Sequence, residues 1–449
     1  MNVLLLAGGR VRNQLNVPKK PTTRKNSFPA EYANILPPSQ RFVLGQLWTT
    51  YKEAPASSEV LSSLLSIGSD YQLADGSKFV YSGFSVSEIR ALGDFPDYAK
   101  LSGVPLPTPV PDFKVDAAFP RPYRPFRWNY HQTMDYWLEL ESTYRQRVLQ
   151  RQELYAKHGQ DVLRALPGSE LACKELMEMV LQFLCTRYPH LFQVKDKRTL
   201  VNNILGTTHD LTKSEPLHVL LNNVPEDFAL VLRDEKTGRY VFRAGIICSS
   251  VGWHLGHKIG LDMASIHAPV PDFKEKLAFS LDRFFTKMQT SQPIQRGSWG
   301  LEVGQPLFLP AEHPQFVHRN NQNANLRAED INLRVDWQTL RRLPLSGAIV
   351  FNFRALFTPL PEFRDEPYVP SLLLKILDEG KRNLMDYKGT WHVEHIAKPA
   401  LHEYEKFQVS QGLVEPEWEP RTLDETPFYP GWKEKWTTTG LVDTRRCKS

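Results

Sequence analysis

Cysteine is scarce in this chain, with four residues among 449, at positions 173, 185, 248 and 447. No pair forms C-x-x-C, and no C-x-x-C-H or iron–sulfur spacing occurs. That counts against covalent c-type haem attachment and against a cluster ligated by this chain. Cys173 and Cys248 sit in apolar surroundings and read as buried free thiols. A reducing compartment such as the cytoplasm fits them. No apolar run approaches the ~18 residues that cross a bilayer. Charge of one sign is also missing: 55 basic against 50 acidic residues leave +5, spread along the chain. Without a basic stripe or a glycine–arginine tract, nucleic acid has no footprint. Flavin, nicotinamide and phosphate-loop motifs are absent too. Ala7 to Arg10 reads A-G-G-R, but the polar Asn13–Lys20 that follows has no strand-turn-helix context. Met1 to Gly9 is too short for an anchor, lacks the basic start of a signal peptide and reads as the remnant of a leader.

What is present is a large globular chain, 41% hydrophobic. Its length suggests two or three domains. Residues 1–118 read as an N-terminal extension. Seven prolines between Val104 and Pro125 make an extended arm. Phe113, Phe119, Tyr123 and Phe126 in or beside that arm suggest that it rests against something. Residues 119–410 form the main domain. Residues 411–449 form a C-terminal tail with Trp418, Tyr429, Trp432 and Trp436. The hexapeptide P-V-P-D-F-K occurs twice, from Pro109 and from Pro269. Its flanks do not match, so it is no domain duplication.

Periodicity predicts helices over Met134–Tyr155 and Leu171–Tyr188, the second with Ser169 as its N-cap. Strands follow at Phe228–Arg233 and Arg239–Ser249, joined by a turn ending at Gly238. Further strands are expected at Trp299–Val303 and Ser346–Thr358, and late helices at Val369–Leu377 and Trp391–Phe407. Strands paired by hairpins, with helices before, between and after them, give an α+β fold on an antiparallel sheet.

The densest chemistry lies in Trp253–Pro271, W-H-L-G-H-K-I-G-L-D-M-A-S-I-H-A-P-V-P. His267 stands between an apolar run and two prolines, at 269 and 271, that stiffen the backbone after it. A neutral imidazole on a stiff apolar scaffold is a usual haem or metal ligand. Its plainer role is to cap a helix or fill a core gap. His254 and His257 are rivals in a polar, glycine-interrupted stretch. Their H-x-x-H spacing suggests zinc, but zinc needs three or four ligands and no cysteine or further histidine is close in sequence. Asp262 and Asp272 flank His267 and are candidates to orient its ring.

Five ordered pieces carry a resemblance: Lys258-Ile259-Gly260, Ile266 to Pro271, Asp282 to Phe285, Arg296 to Trp299, and Leu333 to Phe351. Together they resemble a family once grouped as a domain of unknown function, which includes the α subunit of haem-dependent oxidative N-demethylase. The resemblance covers roughly residues 119–410. It implies a PAS-like haem-binding core with flanking helices, haem b as cofactor, and His267 as its axial iron ligand. It also implies an arginine in the haem pocket at Arg296, where a guanidinium beside bound oxygen would stabilise developing negative charge. The plainer role of Arg296 is an ion pair with an acid such as Glu302. The implied activity is oxidation of a small secondary amine with O2. Electrons would come from a separate NADPH-dependent reductase carrying FMN and a 2Fe-2S cluster. The rivals are a haem-binding sensor or carrier without catalysis, and a haem-free scaffold.

Arg334, Gln338, Thr339, Arg341 and Arg342 form a dense polar block. If that segment is helical, Arg334, Gln338 and Arg341 share one face. Arg334 and Arg341 are candidates for the haem propionates or for a partner's acidic surface. Lys258 and Lys276 could also reach propionates. Where the family pattern has Glu-Arg before Gln338-Thr339-Leu340, this chain has Asp336-Trp337.

Overall fold

The computed structural model describes residues 98–117 and 137–420, apart from 197, 212, 235, 236 and 277. The expected extension over 1–97, the arm's Phe119, Tyr123 and Phe126, and the tail's Tyr429, Trp432, Trp436 and Cys447 lie outside the described residues.

The described chain opens with α1 (Tyr98–Ser102) and an extended stretch through the prolines. That stretch rests on the main domain. The Phe113 ring lies 5.0 Å from that of Tyr188, and the Val110 amide donates to the Arg187 carbonyl at 2.7 Å. Helix α2 runs from Tyr144 to His158. It begins later than periodicity suggests because the residues before it serve other partners. Trp137, Leu138 and Leu140 are buried without a helix, and the Glu141 carboxylate is held by Arg354.

After β1 (Leu163–Ala165) comes α3 (Glu170–Arg187), close to its expected bounds. It is buried nearly all round. Its buried acids therefore need partners. Glu178 pairs with Lys174 one turn earlier. Glu175 accepts from the backbone amides of Leu345 and Ser346. Ser169 caps nothing with its side chain; its hydroxyl donates to the Leu166 carbonyl instead, at 2.6 Å.

A small antiparallel sheet follows, β2 (Phe192–Lys195), β3 (Thr199–Asn202) and β4 (Thr207–Asp210), then α4 (Pro216–Leu221). The main sheet adds β5 (Asp227–Arg233) and β6 (Tyr240–Ile246). Gly238 turns between them at φ +70°, a conformation that favours glycine. Next are β7 (Ser250–Val251), the short helices α5 (Leu255–Lys258), α6 (Met263–Ile266) and α7 (Phe273–Lys276), and α8 (Ala278–Lys287). The chain returns through β8 (Ile294–Val303), β9 (Phe308–Leu309), β10 (Ile331–Arg342) and β11 (Ile349–Pro359). It closes with α9 (Val369–Glu379), α10 (Arg382–Lys388) and α11 (Trp391–Ser410).

The main sheet is antiparallel throughout, in the order β1-β6-β5-β11-β10-β8. Helices thus surround an antiparallel sheet, as an α+β fold requires, and nothing in the order conflicts with a PAS-like core. One expectation is overturned. The Arg334–Arg342 block is strand, not helix: Ile331–Arg342 pairs with β8 on one side and β11 on the other.

Side chains alternate across a strand, so β10 serves two faces. Leu333 and Val335 join Trp299 and Leu301 in a core under α9 and α11. Leu340 joins Ile294 and Ile349 in a core under α5, α6 and α8, with Tyr240, Phe242, Leu255, Met263 and Phe285. A third core surrounds α3. The second of these cores is closed only in part. Trp253, Ile259, Ile266, Phe351 and Phe353 pack on it yet stay half-buried.

The repeated hexapeptide has a local explanation. Both copies close a turn with the same backbone hydrogen bond, the Phe113 amide donating to Val110 at 3.3 Å and the Phe273 amide to Val270 at 3.2 Å, although only the second puts its aspartate, Asp272, at positive φ, +59°. Proline suits the second position of such a turn. In each copy the phenylalanine then lies against a ring, Tyr188 in the first and His267 in the second.

Candidate functional site

The half-buried rim marks where the site lies, and its chemistry is set by four elements. His267 ends α6. Its backbone amide donates to the Met263 carbonyl at 3.2 Å, and its Nδ1 approaches the same oxygen at 2.7 Å. A carbonyl oxygen only accepts, so Nδ1 carries the proton and Nε2 keeps its lone pair. The ring stacks on Phe273, 4.9 Å between centroids and 13° between planes. Burial pushes its pKa down to about 4, with the charges of Arg296 and Lys258 working in the same direction. At neutral pH the imidazole is therefore neutral, which is the ligating form.

Arg296 projects from β8 beside Gln338, its register partner on β10. Its Nε donates to Gln338 Oε1, and its guanidinium carbon lies 5.4 Å from the Phe351 ring centroid. The expected ion pair with Glu302 does not form; Glu302 pairs with Arg319. Among the described residues no carboxylate pairs with Arg296, and burial alone draws its pKa down to about 10. An unpaired cation in such a place is costly, and an anion or a polarised oxygen relieves the cost.

Lys258, at the end of α5, sets its Nζ 3.8 Å from the Trp253 ring centroid. Burial lowers its pKa to about 8. The structure thus gathers His267, Arg296 and Lys258 on one side of the sheet. Arg334 lies further along the same face of β10. It is engaged: its guanidinium donates to Asp336 at 2.9 Å, to the Pro306 carbonyl at 2.8 Å and to the Ser249 carbonyl at 3.1 Å. Arg341 is not part of this group. As an odd-numbered residue of a strand it points to the opposite face, where its guanidinium carbon sits 3.6 Å from the Trp137 ring centroid. The spacing that would unite Arg334 and Arg341 on a helix separates them on a strand. Asp262 caps α6 through the Ser265 amide at 2.7 Å and pairs with Arg239. Asp272 pairs with Lys381 at 3.3 Å. Neither orients His267; the Met263 carbonyl does.

Two basic residues escape sequence reading. Arg147 of α2 lies 6.0 Å from the Phe357 ring centroid, and Arg334 lies 5.8 Å from the same ring. Burial and the charge of Arg354 lower the Arg147 pKa to about 10. Lys388 of α10 donates to Ser298 Oγ at 3.1 Å and to the Trp299 carbonyl at 3.0 Å. Burial lowers its pKa to about 8, while Asp336 opposes the shift. No local pattern announces either residue, because each reaches the sheet from a helix far away in sequence. The alternation Phe351-Asn352-Phe353 in an apolar strand was the one available sign that β11 turns aromatic rings toward a cavity.

An aromatic, half-open sheet face, a neutral imidazole with a free lone pair, and a half-buried cation with no counter-ion among the described residues are what an iron porphyrin asks of a protein. Residues 129–398, more than half of the chain, match the family described as haem-dependent oxidative N-demethylase, alpha subunit-like, and the chain belongs to that family.

Proposed function

We propose that this chain binds haem b on the pocket face of the main sheet and catalyses oxidative N-demethylation of a small secondary amine. The observation that carries the proposal is the pairing of neutral His267 with uncompensated Arg296 over the half-buried Phe351 and Phe353. The overall change converts a methylamine R–NH–CH3, O2, two electrons and two protons into R–NH2, formaldehyde and water.

Haem, when bound, supplies the one-electron and O2 chemistry that side chains lack. The chain's residues do the rest. His267 Nε2 would hold the iron, with Nδ1 tied to Met263 to fix the ring. Trp253, Ile259, Ile266, Phe351 and Phe353 would offer the porphyrin an apolar, water-excluding surface. Arg296, held by Gln338, places positive charge where negative charge develops as oxygen is reduced. Arg147 and Arg334, both near the Phe357 ring, and Lys258 are the cations that would pair with propionates. Lys388, with its pKa near 8, holds a proton close to Asp336. The sequence carries no flavin, nicotinamide or cluster motif, so the electrons come from a separate donor, which the family resemblance implies is an NADPH-dependent reductase carrying FMN and a 2Fe-2S cluster.

The test is spectroscopic first. The chain expressed with a haem supply should show a Soret band that His267→Ala loses or shifts. A reductant and dimethylamine should then yield formaldehyde. A colourless protein after reconstitution would refute haem binding. A Soret band without formaldehyde from any small methylamine would favour a sensor or carrier.

A further inference from the structure

We propose that His254, His257 and Glu312 form a binding site for one divalent transition-metal ion of the zinc class. One ring nitrogen of each histidine and a carboxylate oxygen of Glu312 lie within 4.8 Å of one another. None of the three belongs to the group around His267, and the proposal does not rest on haem.

Local structure brings these ligands together. His254 and His257 lie three residues apart, before and within α5, so both rings emerge on one side of a single turn. The rings lie 3.6 Å apart between centroids, at 41°. Glu312 comes from much later in the chain. The parallel pairing of β7 with β9, Ser250 opposite Phe308 and Val251 opposite Leu309, sends both segments out side by side in the same direction. The Gly252 amide extends the pairing by donating to the Leu309 carbonyl at 2.8 Å. Four residues past Ser250 stands His254, and three past Leu309 stands Glu312. Glu312 Oε1 reaches to 3.2 Å from His257 Nε2.

His254 is already oriented. Its Nδ1 accepts from the Gly256 amide at 3.1 Å, and Asp161 Oδ1 stands 3.4 Å from the same nitrogen. Two imidazoles and one carboxylate suit zinc and its first-row neighbours, and not calcium or magnesium, which take oxygen ligands. A tetrahedral ion with bonds of about 2.0–2.1 Å needs its ligand atoms about 3.4 Å apart. His257 and Glu312 are exposed, so small rotations of these surface side chains can close the triangle.

The experiment uses the full chain, haem-loaded if it takes up haem and as purified if it does not. The protein is stripped with a chelator and dialysed against a limiting concentration of Zn2+. Metal is then counted per chain by mass spectrometry. The expected result is one zinc per chain and a raised melting temperature in its presence. His257→Ala and Glu312→Gln, both surface substitutions, should each weaken binding at least about tenfold, since even losing a group behind a ligand costs about 10–100-fold. His267→Ala should leave the zinc count unchanged. No zinc above the buffer level, or an equal count in the His257→Ala/Glu312→Gln double variant, overturns the proposal and leaves a pair of packed histidine rings.

Discussion

Burial leaves Arg296 with a charge and, among the described residues, no acid opposite it, and that asymmetry makes it the residue to change. Arg296→Met keeps much of the side chain's volume and removes the charge. The expected result is retained haem uptake with turnover lower by about 10²–10³, the usual cost of deleting one donor aimed at developing negative charge. Single-turnover formaldehyde release checks it; unchanged turnover would make Arg296 a filler. A second residue-scale expectation concerns pH. His392 is buried and its pKa is drawn down to about 4, chiefly by burial. In the unfolded chain it titrates near 6.5. Its contribution to stability is therefore present above about 6.5 and is lost as pH falls toward 4. Glu170 and Glu175, raised by burial to about 8 and about 7, act with the opposite slope and mask this in the wild type. The difference between wild type and His392→Gln isolates it. Relative to the variant, the wild type should lose about 1.4 kcal/mol per pH unit below about pH 6, measured by urea unfolding. At this scale the sequence singled out His267 through its proline-stiffened setting and Arg296 through the family resemblance. It did not reveal Arg147 or Lys388, because nothing near them in the chain hints at the sheet they reach.

At the scale of elements, α3, β5, β6, β11 and α11 were legible because each shows one strong pattern over its length. The Arg334–Arg342 block was not. Its polar residues fall at spacings that suit a helix and a strand alike, and only its hydrogen-bonded neighbours on both sides decide the matter. The error had a cost for the site, since it joined Arg341 to Arg334. The departure at Asp336-Trp337 makes sense once the segment is a strand. Asp336 keeps its carboxylate on the pocket face beside Arg334, while Trp337 turns to the other side and is buried there. Strand β6 supplies a prediction of its own. A Cβ at Gly245 would lie 2.7 Å from the Phe228 carbonyl oxygen and 2.9 Å from the Phe242 ring. Gly245→Ala should therefore destabilise by about 1–3 kcal/mol, as overpacked cores do. A denaturant midpoint equal to wild type would show that the ring can move aside.

At the scale of the molecule, the three cores share one sheet, and a buried ionic knot ties distant segments to it. Arg354 of β11 pairs with Glu141, which precedes α2, and at 3.1 Å with Glu226, which follows α4. It also donates to the Glu139 carbonyl at 2.8 Å. Arg354→Leu would leave two buried carboxylates without their counter-charge. The expected loss is about 3–5 kcal/mol, seen as a lower melting temperature. The Arg354→Leu/Glu141→Gln/Glu226→Gln triple variant should recover a large part of it. A single variant as stable as wild type would show that water replaces the arginine. This knot lay beyond sequence reading because its members are far apart along the chain and each looks like an ordinary surface charge.

Strand β10 is written in two interleaved messages. Its odd positions Ile331, Leu333 and Val335 supply apolar side chains to the core under α9 and α11, and its even positions supply Arg334, Asp336, Gln338 and Leu340 to the pocket face. Neither message survives a change of frame. The turns at either end can gain residues at small entropic cost. One residue added inside the strand would send Leu333 and Val335 into the cavity and Arg334 into the oil, erasing core and site in a single step.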